Sequence, residues 1–167
     1  IETAPDFSAT AYYFATSLSR AFWIPVGIIC SAYGGSTVEG WISRELLENY
    51  PDISLNPDSI ERLHPMLRPM LMYNAMLKPL QNYTIKGFIW YQGESNVGRH
   101  ETYAERLADM VQLWRKEWGL GELPFYFAEI APYAYGGTQQ EKAAYLREAQ
   151  FRAPVSYTHL RAHETLS

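Results

Sequence analysis

Phe88-Ile89-Trp90-Tyr91-Gln92-Gly93-Glu94-Ser95-Asn96 is an apolar run that passes without a break into small and polar residues. Read with Ile85 in front of it, the apolar part suits a short strand buried on both faces, and the polar part a loop at its carboxyl end. The same pattern occurs on either side. Upstream, Val26-Gly27-Ile28-Ile29-Cys30 runs into Ser31-Ala32-Tyr33-Gly34-Gly35-Ser36, and downstream Phe125 to Ile130 follows Pro124 and leaves into Ala131-Pro132-Tyr133. Helical patterns lie between and around these runs. Asp6 can cap a helix whose stripe is Phe7, Ala11, Phe14, Leu18 and Phe22, which should lie against a sheet. Glu101 to Trp118 repeats Tyr103, Leu107, Met110, Val111 and Trp114 on one face and stops at Gly119 and Gly121. Glu141 to Arg152 is a last helix, Thr37 to Tyr50 reads as helical up to Pro51, Leu71 to Leu80 is a short apolar helical element, and Pro57 to Pro69 is an irregular insertion. Strands alternating with helices predict a parallel three-layer α/β sheet, in which ligands bind beyond the carboxyl ends of the strands. All three loops then gather on one rim.

Bulk composition narrows the function. The chain has 167 residues, 47% of them hydrophobic, enough for one compact domain and too few for two ordinary ones. A net charge of −4, with Lys and Arg scattered, argues against a nucleic-acid partner. No apolar stretch approaches the roughly 18 residues that a membrane-spanning helix needs. Aromatics reach 15%, which suits sugar-facing clefts and large cores alike. Cys30, the single cysteine, reads as a small buried hydrophobe with no internal disulfide partner. No Gly-x-Gly-x-x-Gly follows a strand, which disfavours a dinucleotide site.

Ester hydrolysis requires a nucleophile, a base to activate it, and donors aimed where negative charge develops. Gly34 and Gly35 permit close backbone approach and φ above zero, so their N–H groups can face an oxyanion; a tight turn that needs glycine on steric grounds is the other reading. Gln92 to Asn96 supplies two side-chain amides and a carboxylate. His159 and His163 stand four apart but have no further ligands nearby, so no metal site is expected. The segment Val155 to Thr165 (Val-Ser-Tyr-Thr-His-Leu-Arg-Ala-His-Glu-Thr) resembles a translated transposase-type sequencing adapter, and residues 155–167 are therefore set apart as a non-native tail from a domain at 1–154.

The Phe88–Asn96 stretch resembles the third block of the sialate O-acetylesterase branch of the SGNH hydrolases. Val26 to Trp41, read through Gly34-Gly35-Ser36-Thr37-Val38-Glu39-Gly40, resembles the second block. Tyr73-Asn74-Ala75-Met76-Leu77-Lys78-Pro79-Leu80, Pro124 to Tyr133, and Leu146-Arg147-Glu148-Ala149-Gln150 match further family segments in order. The resemblance covers about residues 5–153 and implies a flavodoxin-like sheet, incomplete at both ends, with a first strand missing between Val26–Cys30 and Ile85–Trp90. It implies a serine esterase of Ser-His-Asp type that removes O-acetyl groups from sugars, sialic acids first, with acetylxylan-type activity or a noncatalytic carbohydrate-binding module as alternatives. No cofactor is implied, and the expected setting is periplasmic or secreted. The resemblance makes Gly35, with Gly34, and Gln92 the oxyanion donors, with Asn96 the second choice after Gln92. Gly93 and Glu94 join the substrate-facing loop, where Glu94 orients it or pairs with Arg147, and Asn74 lines the pocket. The family's serine block is expected upstream of residue 1 and its Asp-x-x-His beyond residue 154, and with two apolar strand edges facing an empty slot this stretch alone is expected to be poorly folded and inactive. Ser31, Ser36, Ser95, His64 and His100 lack the spacing of a rival triad.

Overall fold

Two of the three apolar runs pair in the computed structural model, which describes residues 7–133 and 139–153. β1 (Phe88–Tyr91) and β2 (Phe125–Ala128) are parallel, with Phe88 opposite Phe125 and Tyr91 opposite Ala128. The Phe88 N–H extends the ladder to the Pro124 carbonyl at 2.9 Å. The crossover between them is α4 (His100–Trp118), as its periodicity predicts. Tyr103, Leu107, Met110, Val111 and Trp114 are all buried on one stripe, each side chain worth ~2 kcal/mol of burial. Gly119, at φ +62°, ends the helix and donates its N–H to the Arg115 carbonyl at 3.1 Å. The chain is thus α/β with a parallel sheet.

The described residues fall into two compact units, one ending at Ala32 and the other beginning at Tyr33. In the second unit, Trp41, Trp90, Trp114, Phe88 and Phe125 meet edge to face or tilted at the centre of one core, with centroids 5.2 to 6.4 Å apart. α5 (Gln139–Arg152) adds Ala143 and Leu146 to that core and packs against α4 and the 94–99 turn.

The first unit departs from expectation. α1 (Ala9–Phe22) forms, capped by the Ser8 hydroxyl on the Ala11 N–H at 3.3 Å, whereas the expected cap Asp6 lies outside the described residues. Its stripe does not reach a core: Ala11, Phe14 and Leu18 are half-buried, and Phe7 and Phe22 are exposed. Within the unit α1 instead lines a shallow groove with Val26 and Ile28. Val26 to Cys30 is not a strand, because it has no ladder partner among the described residues, and Cys30 is exposed rather than buried.

The expected helix over Thr37–Tyr50 is broken into a tight turn at Val38–Trp41 and the single-turn α2 (Arg44–Leu47). Ile42 and Ser43 between them are extended, since the Ser43 hydroxyl accepts from the Leu46 N–H and starts the helix anew. The insertion contains α3 (Pro57–Glu61), capped by Asn56, and Leu71 to Leu80 holds a wide turn at Tyr73–Leu77 followed by a tight one at Lys78–Leu80. The expected foreign tail, with His159 and His163, lies outside the described residues.

Candidate functional site

Tyr33 to Ser36 closes on itself, the Ser36 N–H donating to the Tyr33 carbonyl at 3.2 Å. Gly35 occupies the third position at φ +75°, the left-handed value that a type II turn imposes there. A Cβ on Gly35 would also stand 2.7 Å from Met66 Sδ. Glycine is therefore required for conformation and for space. Gly34 and Gly35 are both exposed, and neither N–H has an acceptor among the described residues.

A second loop starts where β1 ends. Gly93 passes so close to the core that a Cβ there would lie 2.7 Å from Ile130 Cγ2 and 3.1 Å from Leu146 Cδ2. This seats the loop against α5 and the end of β2. Gln150, fully buried, accepts the Ile130 N–H at 3.0 Å and donates Nε2 to the Gln92 carbonyl at 3.0 Å. The Tyr103 hydroxyl reaches the same carbonyl and Gln92 Oε1, both at 3.0 Å, and burial pushes that phenol well above its ordinary pKa.

The two loops are tied directly to each other. Ser95 Oγ donates to the Gly35 carbonyl at 2.7 Å, Gln92 Nε2 to the Ser36 carbonyl at 2.9 Å, and the Val38 N–H to Asn96 Oδ1 at 3.0 Å. Gln92 Nε2 also donates to Asn96 Oδ1 at 2.8 Å, so both amide hydrogens of Gln92 are engaged. Gly34, Gly35, Gln92, Gly93 and Asn96 thus come together as the sequence reading grouped them. The Gln92 amide faces the Ser36 carbonyl rather than the surface. Glu94 is exposed and forms no ion pair with Arg147 among the described residues, and Asn74 is exposed on the Tyr73–Leu77 turn without a side-chain hydrogen bond to either loop. Of the third expected loop, Pro132 and Tyr133 are exposed, and it is Ile130 just before them that reaches the corner.

Behind these loops lies a buried ion cluster that the sequence reading did not identify. Glu39, 2% exposed, accepts from Arg106 Nη1, from Asn96 Nδ2 at 3.0 Å, and pairs with Arg99 at 3.5 Å. Arg106, 1% exposed, also bonds Asp52 and lies over the Tyr50 ring at 5.2 Å. Burial alone would raise the Glu39 carboxyl, but Arg99, Asn96 and Arg106 outweigh it and hold the group below its ordinary value. A signal was present in the sequence: Arg106 falls on the apolar stripe of α4, three residues after Tyr103 and four before Met110, and a charge on a core-facing stripe needs a buried partner.

Chemically, the corner offers two free N–H groups on a glycine turn, suited to a developing negative charge. No serine hydroxyl hydrogen-bonds a histidine among the described residues, and His100 is stacked on Tyr145 at 5.2 Å. No group of three or more metal-ligating side chains occurs among the described residues.

Comparison with known proteins points in one direction. The family model described as carbohydrate esterase, sialic acid-specific acetylesterase, matches residues 7–165. Sialate O-acetylesterase of Mus musculus is 28% identical, the match covering 75% of this chain and 30% of that protein. Sialate O-acetylesterase of Homo sapiens is 30% identical over 68% of this chain and 22% of that protein. Among solved structures, a carbohydrate acetylesterase from Xanthomonas citri superposes with a TM-score of 0.79 at 33% identity, covering 96% of this chain and 35% of that one. The chain spans about a third or less of the length of these proteins.

Proposed function

The chain belongs to the carbohydrate esterase family of sialic acid-specific acetylesterases, and on that premise we propose that its Gly34–Gly35 turn is the oxyanion-binding corner of an enzyme that removes O-acetyl groups from sugars, sialic acids in particular. The observation that carries this reading is the joining of the two loops, Ser95 to the Gly35 carbonyl and Gln92 to the Ser36 carbonyl, beside an exposed turn whose Gly34 and Gly35 N–H groups have no acceptor among the described residues.

In the proposed reaction a serine hydroxyl adds to the acetyl carbonyl while a histidine, oriented by an aspartate, takes its proton. The carbonyl oxygen becomes an alkoxide, and the Gly35 N–H, with Gly34 beside it, donates to that oxygen; each such donor is worth ~3 kcal/mol of barrier. Collapse breaks the bond to the sugar oxygen, which receives the proton from histidine, and water then releases acetate from the serine. Serine, histidine and aspartate are assigned in this scheme to segments other than the described residues. Gln92 in this scheme holds the turn, because donation to the alkoxide would require it to leave the Ser36 carbonyl. Gly93 sets the loop's seat, while Glu94, Asn74 and Arg147, all outside the hydrogen-bonded network, are available to sugar hydroxyls.

The test replaces the aligned segment of the Xanthomonas citri acetylesterase with residues 7–153 and measures acetate release from O-acetylated sialic acid, acetylated xylan and 4-nitrophenyl acetate. The grafted enzyme is expected to release acetate, fastest from the acetylated sialic acid, and the 167-residue chain alone to release none. A graft that unfolds cooperatively yet cleaves no acetylated sugar would refute the proposal; preference for xylan would refute its sialic acid part, and turnover by the chain alone its assignment of the triad.

A further inference from the structure

The Glu39–Arg106 pair stands at the head of a one-way chain of hydrogen bonds that ends on the glycine turn. A carboxylate offers only acceptors, so Asn96 must turn Nδ2 toward Glu39, as it does at 3.0 Å. Asn96 Oδ1 then faces the loops, where it accepts the Val38 N–H at 3.0 Å and Gln92 Nε2 at 2.8 Å. Gln92 is left with one amide hydrogen, which goes to the Ser36 carbonyl at 2.9 Å, and its Oε1 takes the Tyr103 hydroxyl. Each amide could flip in isolation; the carboxylate cannot, and it fixes the polarity of everything after it. Arg106, fully buried on α4, fastens that carboxylate from behind.

We propose that Glu39, held by Arg106, is a positioning residue that acts through Asn96 and Gln92 to fix the Ser36 carbonyl, and so anchors the end of the Tyr33–Ser36 turn on which the Gly35 N–H is carried. The proposal rests on the esterase reading only for what that N–H is used for. Neither Glu39 nor Arg106 touches substrate in it.

Glu39→Gln keeps size and shape but turns one acceptor into a donor. With Arg106 still holding Oε1, the introduced NH2 takes the Oε2 place that Asn96 Nδ2 meets at 3.0 Å, donor against donor, and Nδ2 keeps only its longer contact to Oε1 at 3.3 Å. Asn96→Asp on top of it supplies an acceptor at that point, keeps acceptors toward Val38 and Gln92, and returns a negative charge near Arg99 and Arg106. The pair of substitutions therefore restores the polarity that the first destroys, which mere space-filling would not do.

The readout is side-chain and backbone amide exchange and chemical shift, by 15N NMR, in the full 167-residue chain. In the unsubstituted chain the Gln92 side-chain NH2 is expected to exchange at least about tenfold more slowly than that of exposed Gln112. In E39Q that protection is expected to fall to within about twofold of Gln112 and the Gly35 N–H resonance to move, with recovery of both in E39Q/N96D. Should E39Q also lose the backbone protection of Leu107 and Met110, recovery in the double variant still supports the proposal and its absence overturns it. Equally, the proposal is overturned by an E39Q chain that keeps the Gln92 protection, or by an unsubstituted chain whose Gln92 exchanges as fast as Gln112. Since no turnover is read, an inactive graft would sink the esterase proposal and leave this one standing.

Discussion

Replacing Arg106 by methionine removes the guanidinium from Glu39 while keeping most of the volume of the buried stem. Glu39 is 2% exposed, so the carboxylate left behind cannot turn to water, and breaking one side of a buried pair typically costs about 3–5 kcal/mol. Arg99 remains at 3.5 Å, but its side chain is 43% exposed and solvent weakens its hold, so it recovers only part of the loss. Asp52, 51% exposed, is rehydrated and adds under about 1 kcal/mol. The expected loss is therefore near the lower end, about 3 kcal/mol. Replacing Glu39 by methionine as well removes the stranded charge and leaves an unpaired Asn96 Nδ2, costing about 1–3 kcal/mol, so the double variant should be no less stable than the single one.

The sign of the pH dependence follows from the same groups. In the native chain Glu39 is held below its ordinary value of 4.5, so its stabilisation is complete above that value and is lost as pH falls through the lower, folded-state value. In Arg106→Met, burial is still opposed by Arg99, Asn96 and the Glu39 backbone N–H, but the carboxyl moves upward from its native value, so the variant's deficit should be largest near about pH 7 and shrink as pH falls to about 4. Urea unfolding of native, single and double variants at both values is the assay. A single-variant loss under about 1 kcal/mol, or a double variant clearly less stable than the single, would refute the claim that this pair is dry and coupled.

Gly35→Ala should cost about 1–2 kcal/mol, mostly from placing a side chain at φ +75°, because Met66, the residue it would strike, has a flexible end that can give way; urea unfolding checks this, and Met66→Ala should recover only the smaller, steric share. Gly93→Ala should lower stability by about 1–3 kcal/mol, and by more than Gly35→Ala, since its neighbours Ile130 and Leu146 are buried and cannot withdraw; the same unfolding series tests the order, and the reverse order would contradict the packing described.

The parts of the fold that were legible in the sequence are those whose pattern is local. α4 announces itself by its buried stripe and its terminal glycine, and β1 and β2 by short apolar runs that end in polar loops. Val26–Cys30 carries the same run, yet a strand exists only against a partner, and its composition says nothing of whether one is present. The helix expected over Thr37–Tyr50 was misread because Ser43, an ordinary helix starter, sits inside an otherwise helical pattern. At the site, the pairing of the Gly35 and Gln92 loops could be anticipated from glycines and amides following strand-like runs. Which way the Gln92 amide faces could not, since that is decided by Asn96 in its own loop, by Tyr103 on α4, and, through Asn96, by Glu39 from the other loop.

The most direct measurement deletes one proton. Exchanging the peptide N–H of Gly35 for an ester oxygen in the grafted acetylesterase leaves φ, the Met66 contact and every side chain in place. A fall in kcat of about 10²–10³ is expected, with KM changed by less than about twofold, the signature of a donor used in the transition state. An unchanged kcat would contradict the assignment of that N–H to the oxyanion.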